Sequence, residues 1–80
     1  MSLESKNLKN IFSLVDKFQD LCINKTIRVT YEAKLNIIEI EISDTETYEI
    51  LKQIKYKIER QEDLDELENI LEMYVQKEEE

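Results

Sequence analysis

Carboxylates are the only abundant side chains in this sequence that could do chemistry. Glu39 and Glu41 lie two apart on a strand-like run, and Glu62, Asp63, Asp65, Glu66, Glu68 and Glu72 crowd a later helical segment. Paired carboxylates act as general acid and base when a pocket drives their pKa values apart. A chain of 80 residues has little volume for both a core and such a pocket, so the pairs point to no active site. Hard cations favour oxygen donors, yet the acidic spacing matches no calcium loop and supports weak adsorption at most. The other chemical groups are missing. With no histidine, the usual general base, metal ligand and partner of a nucleophilic Ser or Cys is lost. With no glycine, there is nothing to shape a phosphate-cradling or dinucleotide-binding loop. One cysteine, Cys22, can neither staple the fold nor complete a zinc site, and its place on an apolar helical stripe marks it as a buried hydrophobe. The sequence is therefore read as non-enzymatic, with no cofactor and no metal.

Charge is distributed more informatively than the net −8 suggests. Residues 61–80 hold nine acids and one base, whereas residues 1–35 carry six bases and four acids, and residues 44–60 balance four against four. Nearly all the excess negative charge thus belongs to the C-terminal quarter. Nucleic acid is a poor partner for such a surface, because phosphates need a basic footprint. No apolar run approaches the ~18 residues of a membrane span, and the opening residues resemble neither a signal nor a transit peptide. A cytoplasmic protein that makes no use of membranes is expected.

The elements that must position these charges follow from periodicity. Leu8, Ile11, Val15, Phe18 and Cys22 recur at intervals of three and four, with Phe12, Leu14 and Leu21 widening the stripe, which predicts a helix over residues 3–23. Ser2 or Ser5 would cap its start, and Asn24 is the nearby residue suited to a left-handed end. Ile27, Val29, Tyr31 and Ala33, then Ile38, Ile40 and Ile42, alternate with polar residues, as in a hairpin with one buried face. Placing Ile27 and Val29 opposite glutamates would break that face, so the loop must be even. The register that pairs Tyr31 with Ile38, Val29 with Ile40 and Ile27 with Ile42 also sets Arg28 against Glu41.

Ser43-Asp44-Thr45-Glu46 fits a capping box and predicts a second helix carrying Thr47, Ile50, Leu51, Ile54 and Ile58, with acids first and Lys52, Lys55, Lys57 and Arg60 last. A third helix would follow, with Gln61 or Asp63 near its cap and Leu64, Leu67, Ile70, Leu71, Tyr74 and Val75 on its apolar stripe. One continuous helix over residues 44–77 is disfavoured, because the stripe turns by roughly 120° between Ile58 and Leu64. The expected fold is thus α+β, in the order α-β-β-α-α: a helix, a two-stranded antiparallel hairpin and two helices around one small core. Residues 1–80 would form a single domain, with 77–80 a frayed acidic tail. Phe12, Phe18, Tyr31 and Tyr74 are expected in the core, leaving only Tyr48 and Tyr56 exposed.

The functional expectation is a small acidic protein-binding module, an adaptor, inhibitor or assembly subunit. Its partner would be a protein with a basic surface, met by Glu62, Asp65, Glu66 and Glu72 of the last helix. A solvated face that only confers solubility is the plainer alternative for those acids. The competing function is self-association, in which a second copy covers the free edges of the small sheet as a homo-oligomer.

Overall fold

A computed structural model describes residues 5–80, with side chains from Asn7 onward; the capping expected of Ser2 or Ser5 lies outside the described residues. The order is α1 (Ser5–Leu21), β1 (Lys25–Glu32), β2 (Ile37–Asp44), β3 (Ile50–Lys57) and α2 (Gln61–Glu79). The fold remains α+β, but the expected α-β-β-α-α order is corrected to α-β-β-β-α. The three strands form one antiparallel sheet in the order β1-β2-β3.

The correction falls on Ile50–Lys57. Ile50, Ile54 and Ile58 are four apart, a spacing close to one helical turn and also an even number. In a regular strand as in a helix such residues share a face, so periodicity alone does not decide, although here a bulge sets Ile50 opposite Ser43 and away from the core. What decides is β2. Its Ile38, Ile40 and Ile42 are buried, and a strand buried along its length needs main-chain partners on both edges. In β3, Tyr56 and Ile54 stand opposite Ile38 and Ile40 on the core face, while Gln53 and Lys55 stand opposite Glu41 and Glu39 on the other. Lys55 Nζ lies 3.7 Å from Glu39, and Gln53 Nε2 donates to Glu39 at 3.1 Å. Of the lysines that looked ordered for a helix dipole, Lys55 is the cross-strand partner of Glu39, whereas Lys52 and Lys57 stand opposite Ile42 and Ile37.

The proposed capping box is likewise replaced by a turn. Ser43 belongs to β2, between Thr26 and Ile50, and a bulge leaves Leu51 without a cross-strand partner. Asp44 Oδ1 accepts the Glu46 and Thr47 N–H groups at 2.9 and 3.0 Å, and the Asp44 N–H donates to the Glu49 carbonyl at 2.8 Å. The short oxygen side chain read as part of a helix start organises a hairpin loop instead. Tyr48 in this loop has φ 63°.

The β1–β2 register is the expected one, with Ile27 opposite Ile42, Val29 opposite Ile40, Tyr31 opposite Ile38 and Arg28 opposite Glu41. Its turn is held by Asn36, at φ 52°. The Asn36 N–H donates to the Ala33 carbonyl, its carbonyl accepts from the Ile58 N–H at 2.7 Å, and its Oδ1 accepts from the Tyr31 hydroxyl at 2.9 Å. Asn24, by contrast, is not left-handed. It leads directly into β1, and its carbonyl accepts from the Thr45 N–H at 3.1 Å.

An odd number of antiparallel strands between two helices makes the helices parallel. Asn7, near the start of α1, donates to Asp65 and Glu68 near the start of α2, while Lys17 pairs with Glu79 at the far ends (2.9 Å). Both helices cover one sheet face. Ile11 and Phe18 of α1, with Cys22 just past its end, meet Ile27, Ile38, Ile40, Ile42 and Ile58, and Leu64, Leu67, Leu71 and Val75 of α2 complete the cluster. At the start of α2, Asp63 Oδ2 reaches back to accept the Glu59 and Arg60 N–H groups at 2.8 and 2.9 Å. The helix continues to Glu79, through residues expected to fray, because Glu78 and Glu79 are tied to Lys25 and Lys17.

Two consequences for stability can be measured. Ile40 is fully buried (0% exposed) on the central strand, and Phe18 of α1 is buried in the same core cluster. Truncating either to Ala should cost about 2–5 kcal/mol by denaturant unfolding; parental stability for both would refute this core. Tyr48 holds a left-handed backbone conformation that costs a non-glycine residue ~1–2 kcal/mol, and its side chain is 82% exposed. Tyr48→Gly should therefore raise the melting temperature by about 4–8 °C.

Candidate functional site

The solvent-facing side of α2 gathers the four acids singled out from the sequence. Glu62, Asp65, Glu66 and Glu72 are all exposed, and Asn69, Met73 and Gln76 share that side, Met73 being 67% exposed. The opposite side buries Leu64, Leu67, Leu71 and Val75. The four acids are not equivalent. Asp65 accepts from Asn7 Nδ2 at 3.3 Å and from Gln61 Nε2 at 3.4 Å, so it also joins the two helices. Glu66 accepts the Tyr56 hydroxyl, which pushes that phenol up to about 12 because the neutral form is the donor. Glu62 lies 3.7 Å from Arg60 Nε. Glu72 makes no hydrogen bond or ion pair among the described residues and borders the groove between the helices beside Leu14.

At the other end, the C-termini of the parallel helices converge over the start of β1. Lys25 Nζ lies 3.0 Å from Glu78, and that contact holds the Glu78 carboxyl below its ordinary range and raises the Lys25 ammonium. Cationic groups are well placed here, beside the carbonyl ends of both helices. Cys22 lies buried beneath them; burial first and the Glu78 carboxylate second push its thiol up, so the reactive thiolate is disfavoured. Phe18, Ile42, Leu51 and Tyr74 floor a shallow concavity of about 320 Å³ at this end, rimmed by Lys25, Lys52, Lys77 and Glu78. Among the described residues, no group of three or more Cys, Asp or Glu side chains converges as a metal site would, and no helix is long and apolar enough to cross a membrane.

A third surface was not foreseen. On α1, Leu8, Phe12, Val15 and Gln19 follow one another at intervals of four and three, along the side that faces the outer edge of β1. Gln19 caps that edge: its Oε1 accepts the Ile27 N–H at 3.0 Å and its Nε2 donates to the carbonyls of Lys25 at 2.7 Å and Cys22 at 3.2 Å. The cap covers only the first half of the strand. Phe12 and Tyr31, both expected in the core, are 50% and 42% exposed beside the uncapped half. The sequence signal was a glutamine on an otherwise apolar helical stripe; a polar residue there needs a main-chain partner.

No protein-family model, curated protein or solved structure matches the chain.

Acid titration tests the local carboxylate contacts. Main-chain N–H groups hold two carboxyls below their ordinary range: Asp63 by those of Glu59 and Arg60, and Asp44 by those of Thr47 and Glu46. A depressed folded-state pKa contributes stability above the unfolded value of about 3.9 that is lost as pH falls through the folded value. Melting temperature should therefore drop below about pH 4, and Asp44→Asn with Asp63→Asn should flatten the drop; an unchanged acid limb would show that these contacts carry no linkage.

Proposed function

We propose that the chain is a small non-catalytic protein-binding module whose α2 surface meets a basic patch on a partner. The observation that supports this reading is segregation of charge. Residues 61–80 hold nine acids and one base, and Glu62, Asp65, Glu66 and Glu72 project from one side of a single rigid helix. A field of one sign raises encounter rates with an opposite field well beyond the contact distance, within a screening length of about 8 Å at physiological salt. Met73 adds an apolar group among the acids, an anchor of the kind that interfaces bury at their centres. A catalytic role has no comparable support, since histidine is absent and the carboxylates stand on an open helix surface rather than in a cleft.

The test uses amide isosteres, whose carbonyl oxygens can still accept from Asn7, Gln61 and Tyr56 in place of the carboxylates of Asp65 and Glu66. With a partner isolated on the immobilised chain, Glu62→Gln, Asp65→Asn, Glu66→Gln and Glu72→Gln together should slow association about tenfold at low ionic strength and flatten its salt dependence. The fold should survive, with melting unchanged or slightly higher as self-repulsion falls. Equal association rates for both forms at low and high salt would leave the acids as a solubility device.

A further inference from the structure

The uncapped half of β1 is an open sheet edge with a defined hydrogen-bonding pattern and charge arrangement. In an antiparallel strand, the N–H and C=O of one residue point the same way and alternate from residue to residue. Gln19 takes the Ile27 N–H and the Lys25 carbonyl from outside the sheet, so odd-numbered residues of β1 face outward and even-numbered ones bond to β2. Val29 and Tyr31 therefore present their main-chain groups to solvent, and among the described residues these have no partner. Their side chains lie on the core face, opposite Ile40 and Ile38. Phe12 lies two helical turns before Gln19, about 10 Å back along α1, which brings it level with this stretch. Such an edge is a template for another strand.

We propose that a second copy of the chain covers this edge, β1 pairing antiparallel with β1 about a two-fold axis through Thr30. The register follows by elimination. Centring the pair on Val29 would bond Tyr31 to Ile27, and centring it on Arg28 would bond Val29 to Ile27, but Ile27 is committed to Gln19. Centring on Tyr31 would require Ala33, which turns away from the strand. With Thr30 on the axis, Val29 exchanges both main-chain hydrogen bonds with Tyr31 of the second copy, and the symmetric pair does the same. Only the open groups are used. The same register sets Arg28 opposite Glu32 of the second copy, twice, on the outer face. It also brings the half-exposed Phe12 side chains toward each other over the seam. β3, the other edge, is a poor competitor: it carries Lys52, Lys55 and Lys57 with no acid and is bulged at Leu51, so two copies would set lysines against lysines. The pairing joins two sheets into one of six strands with all four helices on one face, a closed isologous assembly.

Sedimentation equilibrium of the full chain should show a concentration-dependent dimer; a monomer throughout the accessible range overturns the proposal. Thr30→Cys places thiols opposite each other at a non-hydrogen-bonded pair, where Cα atoms are about 4.5 Å apart and a disulfide can form. This variant should oxidise to a covalent dimer, while Thr26→Cys, far from the axis, should not; equal cross-linking of the two overturns the register. Val29→Pro removes an N–H that bonds nothing within one copy, so a folded monomer is expected, and a folded dimer would count against the edge. Should that variant unfold, Glu32→Lys serves in its place. Glu32 makes no ion pair among the described residues, and reversing its charge should weaken the dimer about tenfold. An unweakened dimer would place the interface elsewhere.

Discussion

The structure depends on the burial of β2. Ile38, Ile40 and Ile42 face the core with almost no exposure, and its other face carries Ile37, Glu39, Glu41 and Ser43. A strand so placed can leave neither edge to solvent without stranding peptide groups near an apolar layer, and each such group costs about as much as a lost hydrogen bond. Two neighbours are therefore required, one on each edge. β1 supplies the first through the register that keeps apolar residues together. The second must come from the sequence immediately following, and this requirement turns Ile50–Lys57 into a strand although its four-residue spacing also suits a helix.

Everything downstream inherits that choice. Three strands rather than two reverse the direction in which the chain leaves the sheet, so α2 runs parallel to α1 and their like ends lie together. The N-terminal ends are joined by uncharged donors, with Asn7 and Gln61 shared among Asp65, Glu68 and each other. The C-terminal ends, where carbonyls accumulate, are met by Lys25 and Lys17. Parallel helix dipoles repel weakly; the acids at the N-terminal ends relieve this, while at the C-terminal ends Lys25 and Lys17 offset Glu78 and Glu79, which carry the unfavourable sign there. The acid-rich composition of α2 follows the same logic in its first turn, where Glu62 and Asp63 lie at the positive end of the helix.

Legibility in the sequence divided along physical lines. α1 and α2 were visible because each carries a stripe at intervals of three and four over several turns, a pattern no strand can share. The β1–β2 register was readable because a one-residue slip would put glutamates in the core. β3 was not, since its isoleucines satisfy both periods and Asp44, a short side chain that caps helices, equally closes turns. Tyr56, two residues from both Ile54 and Ile58, was the residue that could have broken the tie. The four acids of α2 were placed on one helix surface as expected, but the ties to Asn7 and Tyr56 arise from the parallel packing of the helices and from β3 lying beneath α2, while those to Gln61 and Arg60 are local to the start of α2. Gln19 and Phe12 escaped because their meaning depends on where the edge of β1 lies, which no local pattern records.

The two edges of the sheet are protected by different means, and the difference bears on how so small a core suffices. β3 is guarded chemically, by lysines along its length and by a bulge that distorts its ladder, devices that act equally well in an isolated chain. β1 is guarded by hydrogen bonds and only in part, by one glutamine reaching down from α1. A chain of this size buries only about 60% of its unfolded surface, which leaves little margin for half-covered aromatic residues. Phe12 and Tyr31 are nevertheless left at the unguarded half of the edge rather than drawn into the core. Apolar area and open main-chain groups thus coincide at the half of β1 that Gln19 does not reach.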